Sequence, residues 1–421
     1  VETVLISTYR SEINNILTTM KGKCCFHFAM SIILGCNIFS VHMTKETQQS
    51  VDKSISNFSV DIMKAIAKEK TEGKKIHKNI LMSPTNIFRA LLLVYAATAS
   101  SSKVQLEKAL HMKDVSADAI RNYLAETQKP QGTLKEAAKL FVDTSIVVKK
   151  PYEDIVSKSL NKVDMKGDPT KLRQDVNNLV NNLTDGMISE VLPKTWRPNG
   201  QSIFISAIYF KSSWRHLFRK QLTKPGQFTT NKGNQVTTPM MQNQLRYPYF
   251  DSTSLQCKVL GMEYTDKSYT MLVFLPKEKG TQTVETLISQ LTPSLITDTY
   301  NSLKVQQVQL SFPKFKSNTE INLKSILSQL GVTDAFTPKA DFSFMTGTKM
   351  QLSEAIHHAK INLDEDGTEA AAYTLLGGLG SSPNKTPPVP FIANRPFLYM
   401  IYNTDKHIPV FMGLMVDPTQ K

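Results

Sequence analysis

The chain has 421 residues, 41% of them hydrophobic, and carries 50 Lys+Arg against 36 Asp+Glu for a formal net charge of +14. Such a composition can fill a sizeable core, and the lack of collagenous, glutamine-rich or heptad segments and of any repeat period excludes fibrous, coiled-coil and solenoid designs. The lysines are scattered rather than massed in one block, so the charge points to a basic surface able to attract a polyanion and carries no nucleic-acid signature.

At the N-terminal end, Cys24 to Val41 is mostly apolar, preceded by Lys21 and Lys23 and followed by the polar run Thr44 to Ser50. This is the pattern of a secretory signal, with residues 20–40 as the signal peptide, Met20 as its start and Ser40 as the small residue before cleavage. Residues 1–19 are then an upstream extension or an artefact of the recorded sequence. A signal anchor is the alternative, and His27, Asn37 and a span short of the roughly 20 residues a membrane helix needs count against it. Cleavage would remove Cys24, Cys25 and Cys36, leaving Cys257 alone and no intrachain disulfide, and the protein is expected to be secreted and extracellular. The positive balance survives the trimming, because residues 1–40 hold few charged side chains.

Beyond the signal, the length prior allows two or three domains, but no linker divides the chain and a single large domain over 41–421 is expected. Ile55, Phe58, Ile62, Met63 and Ile66 recur at helical spacing. Ile203 to Phe210 and Met271 to Leu275 are largely continuous apolar runs of strand length, and Val308, Leu310 and Phe312 alternate with polar neighbours. Leu323, Ile326, Leu327 and Leu330 return to helical spacing before Gly331, a natural helix stop. Phe397 to Tyr402 is expected to pair with Val410 to Val416 across Asn403 to His407. Helices early and strands late give an α+β arrangement rather than repeated βαβ units.

Enzyme patterns are missing: there is no G-x-S-x-G elbow, phosphate-binding glycine loop, H-E-x-x-H helix or paired C-x-x-C, so no catalytic residue, cofactor or metal is assigned. The adjacent His357 and His358 would point to opposite faces of a strand and are read as structural. Trp214 is either a ligand-stacking residue or a core residue, and core packing is the preferred reading.

The most informative stretch runs from Glu365 through Gly367 and Thr368 to Thr374. In an extended chain Thr368, Ala370, Ala372 and Thr374 form one row of small uncharged side chains that a sheet interior could accept, while Glu369, Ala371 and Tyr373 suit the opposite face. Gly377, Gly378, Gly380, Ser381, Ser382 and Pro383 then make a poor resident strand and a good exposed loop. A segment able to be both loop and strand suggests a switch, with a flexible surface linker as the plain alternative.

The surrounding residues from Ser353 to Ala372, with His357, Ala359, Glu365, Gly367, Thr368, Glu369 and the alanines in place, resemble the hinge of the reactive-centre loop of the serpins, the serine protease inhibitor family. The resemblance recurs in order along the chain. It includes Asn79-Ile80-Leu81-Met82-Ser83-Pro84, Thr184-Asp185-Gly186-Met187-Ile188 with Leu192-Pro193, Ala207-Ile208-Tyr209-Phe210-Lys211 with Trp214, and Pro239-Met240-Met241. Further on come Met271-Leu272-Val273-Phe274-Leu275-Pro276, Pro313-Lys314-Phe315, Leu330-Gly331 with Asp334-Ala335-Phe336, Asn394-Arg395-Pro396-Phe397-Leu398, Phe411-Met412-Gly413 and Pro418. Each motif is weak alone, but together they cover nearly everything from about residue 50 onward.

The resemblance implies one serpin-like domain at 41–421 with three β-sheets, about nine helices and an exposed reactive loop at about 365–390. It implies a monomeric inhibitor that a target serine protease attacks as a suicide substrate, after which the loop inserts into the main sheet. The family's spacing of seventeen residues from Glu365 selects the bond Ser381-Ser382, with Leu379 and Lys385 as alternative reactive residues. A serine there suits a protease preferring small or medium uncharged residues, elastase- or chymotrypsin-like. The alternative reading is a non-inhibitory carrier, chaperone or decoy, or a polyanion-binding member. A glycosaminoglycan or other polyanion is a candidate partner, although the region around Lys103 to Lys113, where some serpins place a basic helix, also holds Glu107 and Asp114. Among the N-x-S/T sequons, Asn182 and Asn384 are candidate glycosylation sites, and Asn57 is discounted because it falls beside Phe58 in a packed helix. Two positions depart from the family pattern, Leu179 in place of a tryptophan and Phe344 in place of a glycine, and both are read as packing changes.

Overall fold

The computed structural model describes residues 48–126, 132–278, 280–368 and 387–420. Nine α-helices are present among the described residues, and three sheets of seven, nine and two strands. Val51–Lys421 hold together as one unit.

The helix Pro84–Ala97 runs through the core because it is apolar nearly all round, as a fully buried helix must be. Its start is fixed by sequence: Pro84 occupies the first turn, and the Ser83 hydroxyl accepts from the Asn86 N–H while donating to the Val410 carbonyl at 2.6 Å. Asn86 Nδ2 then donates to the Ala207 carbonyl at 3.0 Å, tying this helix end to the larger strands of both big sheets.

In the seven-stranded sheet the order is Leu160–Val163, Leu134–Asp143, Ser202–Phe210, Glu354–Asp364, Gly367–Thr368 and Ser212–Ser213, with Phe315–Asn322 also paired to Glu354–Asp364. Both faces are covered, which explains why Ser202–Phe210 is buried at every position and mostly apolar. Ile203, Ile205 and Ala207 pack with Leu172, Val176 and Val180 of the helix Pro169–Leu183. The alternate residues Phe204, Ile208 and Phe210 belong to the two clusters on the other side.

The nine-stranded sheet is two arrays sharing the 18-residue strand Gln235–Ser252. Lys304–Pro313 pairs along its middle and Lys224–Thr229 along its start, whereas Cys257–Glu263 pairs with its last residues. Phe397–Asn403 and Ile408–Met415 form the expected antiparallel pair. The Leu323–Gln329 helix ends as expected, with Gly331 at φ +88° just beyond it.

Trp214 is 2% exposed and stacks on Tyr264, so it is a core residue. Leu179 packs against the helix-side cluster of the main sheet, but Phe344 is 44% exposed. That substitution alters the surface beside Tyr95 and Ile120 rather than the core, a correction to its reading as a packing change.

Candidate functional site: the hinge and the seam below it

The strands Ser202–Phe210 and Glu354–Asp364 run parallel and pair directly from Ile203 opposite Glu354 to Tyr209 opposite Lys360. This parallel seam lies between antiparallel neighbours, Leu134–Asp143 on one side and Phe315–Asn322 on the other. Two parallel strands can take a third strand between them that is antiparallel to both, replacing one parallel ladder by two antiparallel ones, which are somewhat more stable per residue.

Above Lys360 the seam parts, and the chain turns back at Glu365 and Asp366. Gly367 and Thr368 then form a short strand antiparallel to both sides, with Thr368 opposite Leu363 and Ser212, and Gly367 opposite Asp364 and Ser213. Only glycine fits at 367: its φ is +135°, and a Cβ would lie 2.4 Å from the Ser212 carbonyl oxygen. Thr368 is fully buried, its hydroxyl 3.1 Å from the Tyr264 hydroxyl. The Tyr264 ring is stacked on Trp214 at 4.5 Å and meets Phe210 edge-on at 4.9 Å. A small uncharged side chain is what this apolar slot accepts, as the alternation of the sequence predicts.

The turn itself is clamped by hydrogen bonds. Trp214 donates its backbone N–H to the Asp366 carbonyl and its indole N–H to the Asp364 carbonyl, at 3.2 and 3.0 Å, while the Phe218 N–H reaches the Glu365 carbonyl at 3.0 Å. The Glu365 residue is 4% exposed, and its carboxylate accepts from Thr223 at 2.8 Å and from the Lys314 ammonium at 2.7 Å. Burial opposes ionisation of this group, but the bonds from Lys314, its own backbone and Thr223 outweigh it and hold the carboxyl below its ordinary value. Lys220 pairs with Asp366 at the surface. Lys314 was singled out in the sequence only as part of a motif, and Thr223 not at all.

Further down, the seam is crossed by His357. Its Nε2 accepts from the Ser83 N–H at 3.0 Å, which places the ring proton on Nδ1, and that proton is donated to the Ser206 hydroxyl at 2.9 Å. One neutral imidazole thus ties both seam strands to the start of the buried helix. Burial, with repulsion from His358, lowers its pKa to about 3. His358 points the other way, to Asn318 Oδ1 at 2.5 Å, and burial lowers its pKa to about 4. The two rings share no partner, and no group of three or more potential metal-ligating side chains occurs among the described residues.

Of the residues singled out by sequence, Glu365, Gly367 and Thr368 are brought together at the head of the seam. Glu369, Ala370, Ala371, Ala372, Tyr373, Thr374, Leu379, Ser381, Ser382, Asn384 and Lys385 lie outside the described residues. Asn182 is exposed at the end of its helix, while Thr184 of the same sequon is fully buried, its hydroxyl bonded to the Val180 carbonyl at 2.8 Å.

The main sheet thus carries a parallel seam, with Gly367 and Thr368 already laddered in at its head. Residues 53–418 match the family described as Serpin (serine protease inhibitor), and the chain belongs to that family. It is 29% identical over 379 residues to leukocyte elastase inhibitor of Bos taurus, covering 86% of this chain and 98% of that protein. The solved structure of Manduca sexta serine protease inhibitor (serpin)-12 superposes with a TM-score of 0.75 at 25% identity, over 87% of this chain and 99% of that one. Human thyroxine-binding globulin, solved with thyroxine bound, shares the fold at a TM-score of 0.77 and 22% identity, over 89% of this chain and 100% of that one.

Proposed function

We propose that this protein is a secreted suicide-substrate inhibitor of serine-type endopeptidases, its signal peptide at residues 20–40 and its mature domain at 41–421. The observation that carries the reading is the hinge. Gly367 and Thr368 sit antiparallel between Leu363 and Asp364 on one side and Ser212 and Ser213 on the other, just above the paired seam, so the following chain needs only to extend their register downward. Continued in that register, the inserted strand would set Ala370 opposite Ile361 and Phe210, and Thr374 opposite His357 and Ser206.

The chemistry belongs to the target. Its serine hydroxyl attacks the Ser381 carbonyl, the Ser381-Ser382 bond breaks, and the new amine leaves with the C-terminal segment while residue 381 stays esterified to the protease. Freed at one end, the hinge side of the loop inserts, carrying the acylated protease away from its intact geometry before water can release it. The new ladder and the apolar area it covers drive the step. The relation to an elastase inhibitor agrees with a serine before the cut and a pocket for small side chains.

Incubation with elastase-, chymotrypsin- and trypsin-like proteases tests this: an SDS-resistant complex with at least one uncharged-specificity enzyme is expected. Cleavage of the loop without any complex across the panel would instead assign the chain to the non-inhibitory reading. Asn182 and Asn384 are the candidate glycan sites of the secreted form, readable as mass shifts.

A further inference from the structure

A groove of ≈ 570 Å³ opens beside the Phe315–Asn322 strand. Among the described residues this strand pairs on one side only, with Glu354–Asp364, so its other edge borders the groove. Four lysines line it from four separate parts of the chain: Lys70 at a helix end, Lys78 after the small hairpin, Lys232 on a turn and Lys316 on the strand itself. None of the four makes an ion pair among the described residues, whereas Lys135, Lys150, Lys220, Lys277 and Lys314 all do. The lining carboxylates are Glu72 and Glu320, and the Glu320 carboxyl is raised by burial and by Glu190, so the groove is left with excess positive charge.

The wall opposite the strand is built in advance. Asn79 accepts from the Val416 and Asp417 N–H groups and donates to the Asp417 carbonyl. Gln420 bridges the Asn79 N–H and the His77 carbonyl. The turn carrying Lys232 is held by Asn231, which donates to the Ile76 carbonyl at 2.8 Å and to Glu285. His77 also lines the groove, and its buried Nδ1 has no hydrogen-bond partner. Lysines without ion-pair partners, drawn from four parts of the chain around a groove that Asn318 and Thr319 also line, are what a string of tetrahedral oxyanions requires.

We infer that this groove is a binding site for a multiply sulfated or phosphorylated polyanion. Four separate ammonium groups on flexible stems around an open trough suit spaced sulfates or phosphates as point-charge contacts. Nothing in the assignment depends on the inhibitory reading, because binding is measured on the uncleaved protein with no protease present.

The full chain is titrated by fluorescence anisotropy with a labelled heparin octasaccharide and, separately, with short-chain inorganic polyphosphate. Between 50 and 200 mM salt, log affinity is expected to fall with log salt at a slope of about −3, roughly 0.7 per lysine. The pair Lys78→Gln with Lys316→Gln should cut that slope to about −1.4. So should the independent pair Lys70→Gln with Lys232→Gln, which guards against a folding defect in one variant. Lys108→Gln with Lys113→Gln, outside the groove, should leave it unchanged. The tighter of the two probes identifies the source, sulfated glycan or phosphate polymer. Equal losses in the control and groove pairs, equal binding of a glutamate-rich peptide, or no salt-dependent binding of either probe would each overturn the site.

Discussion

Thr368 shows how much one residue of the hinge has to satisfy. It must be small and uncharged because it is fully buried against Tyr264 at the head of the seam. Replacing it by arginine would bury an unpaired charge beside stacked rings, a penalty of several kcal/mol that the sheet avoids by refusing the hinge. Thr368→Arg is therefore expected to turn the protein from inhibitor into substrate, seen as cleaved chain replacing covalent complex on a denaturing gel. Tyr373→Arg, five positions on and on the opposite face, should be milder. If both variants trap protease as well as the parent does, the face assignment is wrong. The inward side chain of Thr368 was legible from period-two alternation alone. The clamp on Glu365 was not, because Thr223 and Lys314 lie 142 and 51 residues away and neither carries a local signal.

At the scale of elements, the apolar runs told which segments are strands but not which strands are neighbours. Ser202–Phe210 is recognisable from its apolar run, whereas its parallel pairing with Glu354–Asp364 depends on everything folded between them. The adjacent histidines were rightly placed on opposite faces, but that one of them ties the seam to a helix start could be seen only in three dimensions. This tie has a pH signature. His357 and His358 have folded-state pKa values of about 3 and about 4, below the ordinary 6.5, so the unfolded chain binds their protons first as pH falls. Their stabilisation is complete above about pH 6.5 and is lost progressively between there and the folded values. Each histidine contributes a slope of about 1.4 kcal/mol per pH unit inside that window. Denaturant unfolding of His357→Gln from pH 4 to 6 should show the slope reduced by about that amount, with overall stability lower at pH 7 because the Ser83 and Ser206 contacts change. An unaltered pH slope would mean that His357 is not held neutral.

For the whole molecule, the proposed mechanism makes the length of the seam set the position of the cut. In the hinge register the strand from Leu363 down to Glu354 accommodates ten added residues, Thr368 to Gly377, and Ser381 then lies four residues past the bottom pair. A strand that adds two antiparallel ladders in place of one parallel ladder should make the cleaved form much harder to unfold. Limited cleavage in the loop is thus expected to raise the melting temperature sharply, and equal melting of intact and cleaved protein would rule out insertion. The same geometry discriminates among the candidate bonds. Cleavage after Lys385 leaves four further residues of slack between the filled seam and the attached protease, enough for the enzyme to keep its shape and complete hydrolysis, so trypsin-like enzymes should mostly consume the protein. Cleavage after Leu379 comes two residues early and shortens the tether. In the proposed mechanism a bond after Ser381 would draw the acylated protease close against the end of the sheet and pull its active site out of register. Mass spectrometry of the peptide released from a covalent complex reads the answer directly: a new N-terminus at Ser382 is the expected result, and one at Thr386 in a stable complex would show that the seam does not measure the loop in this way.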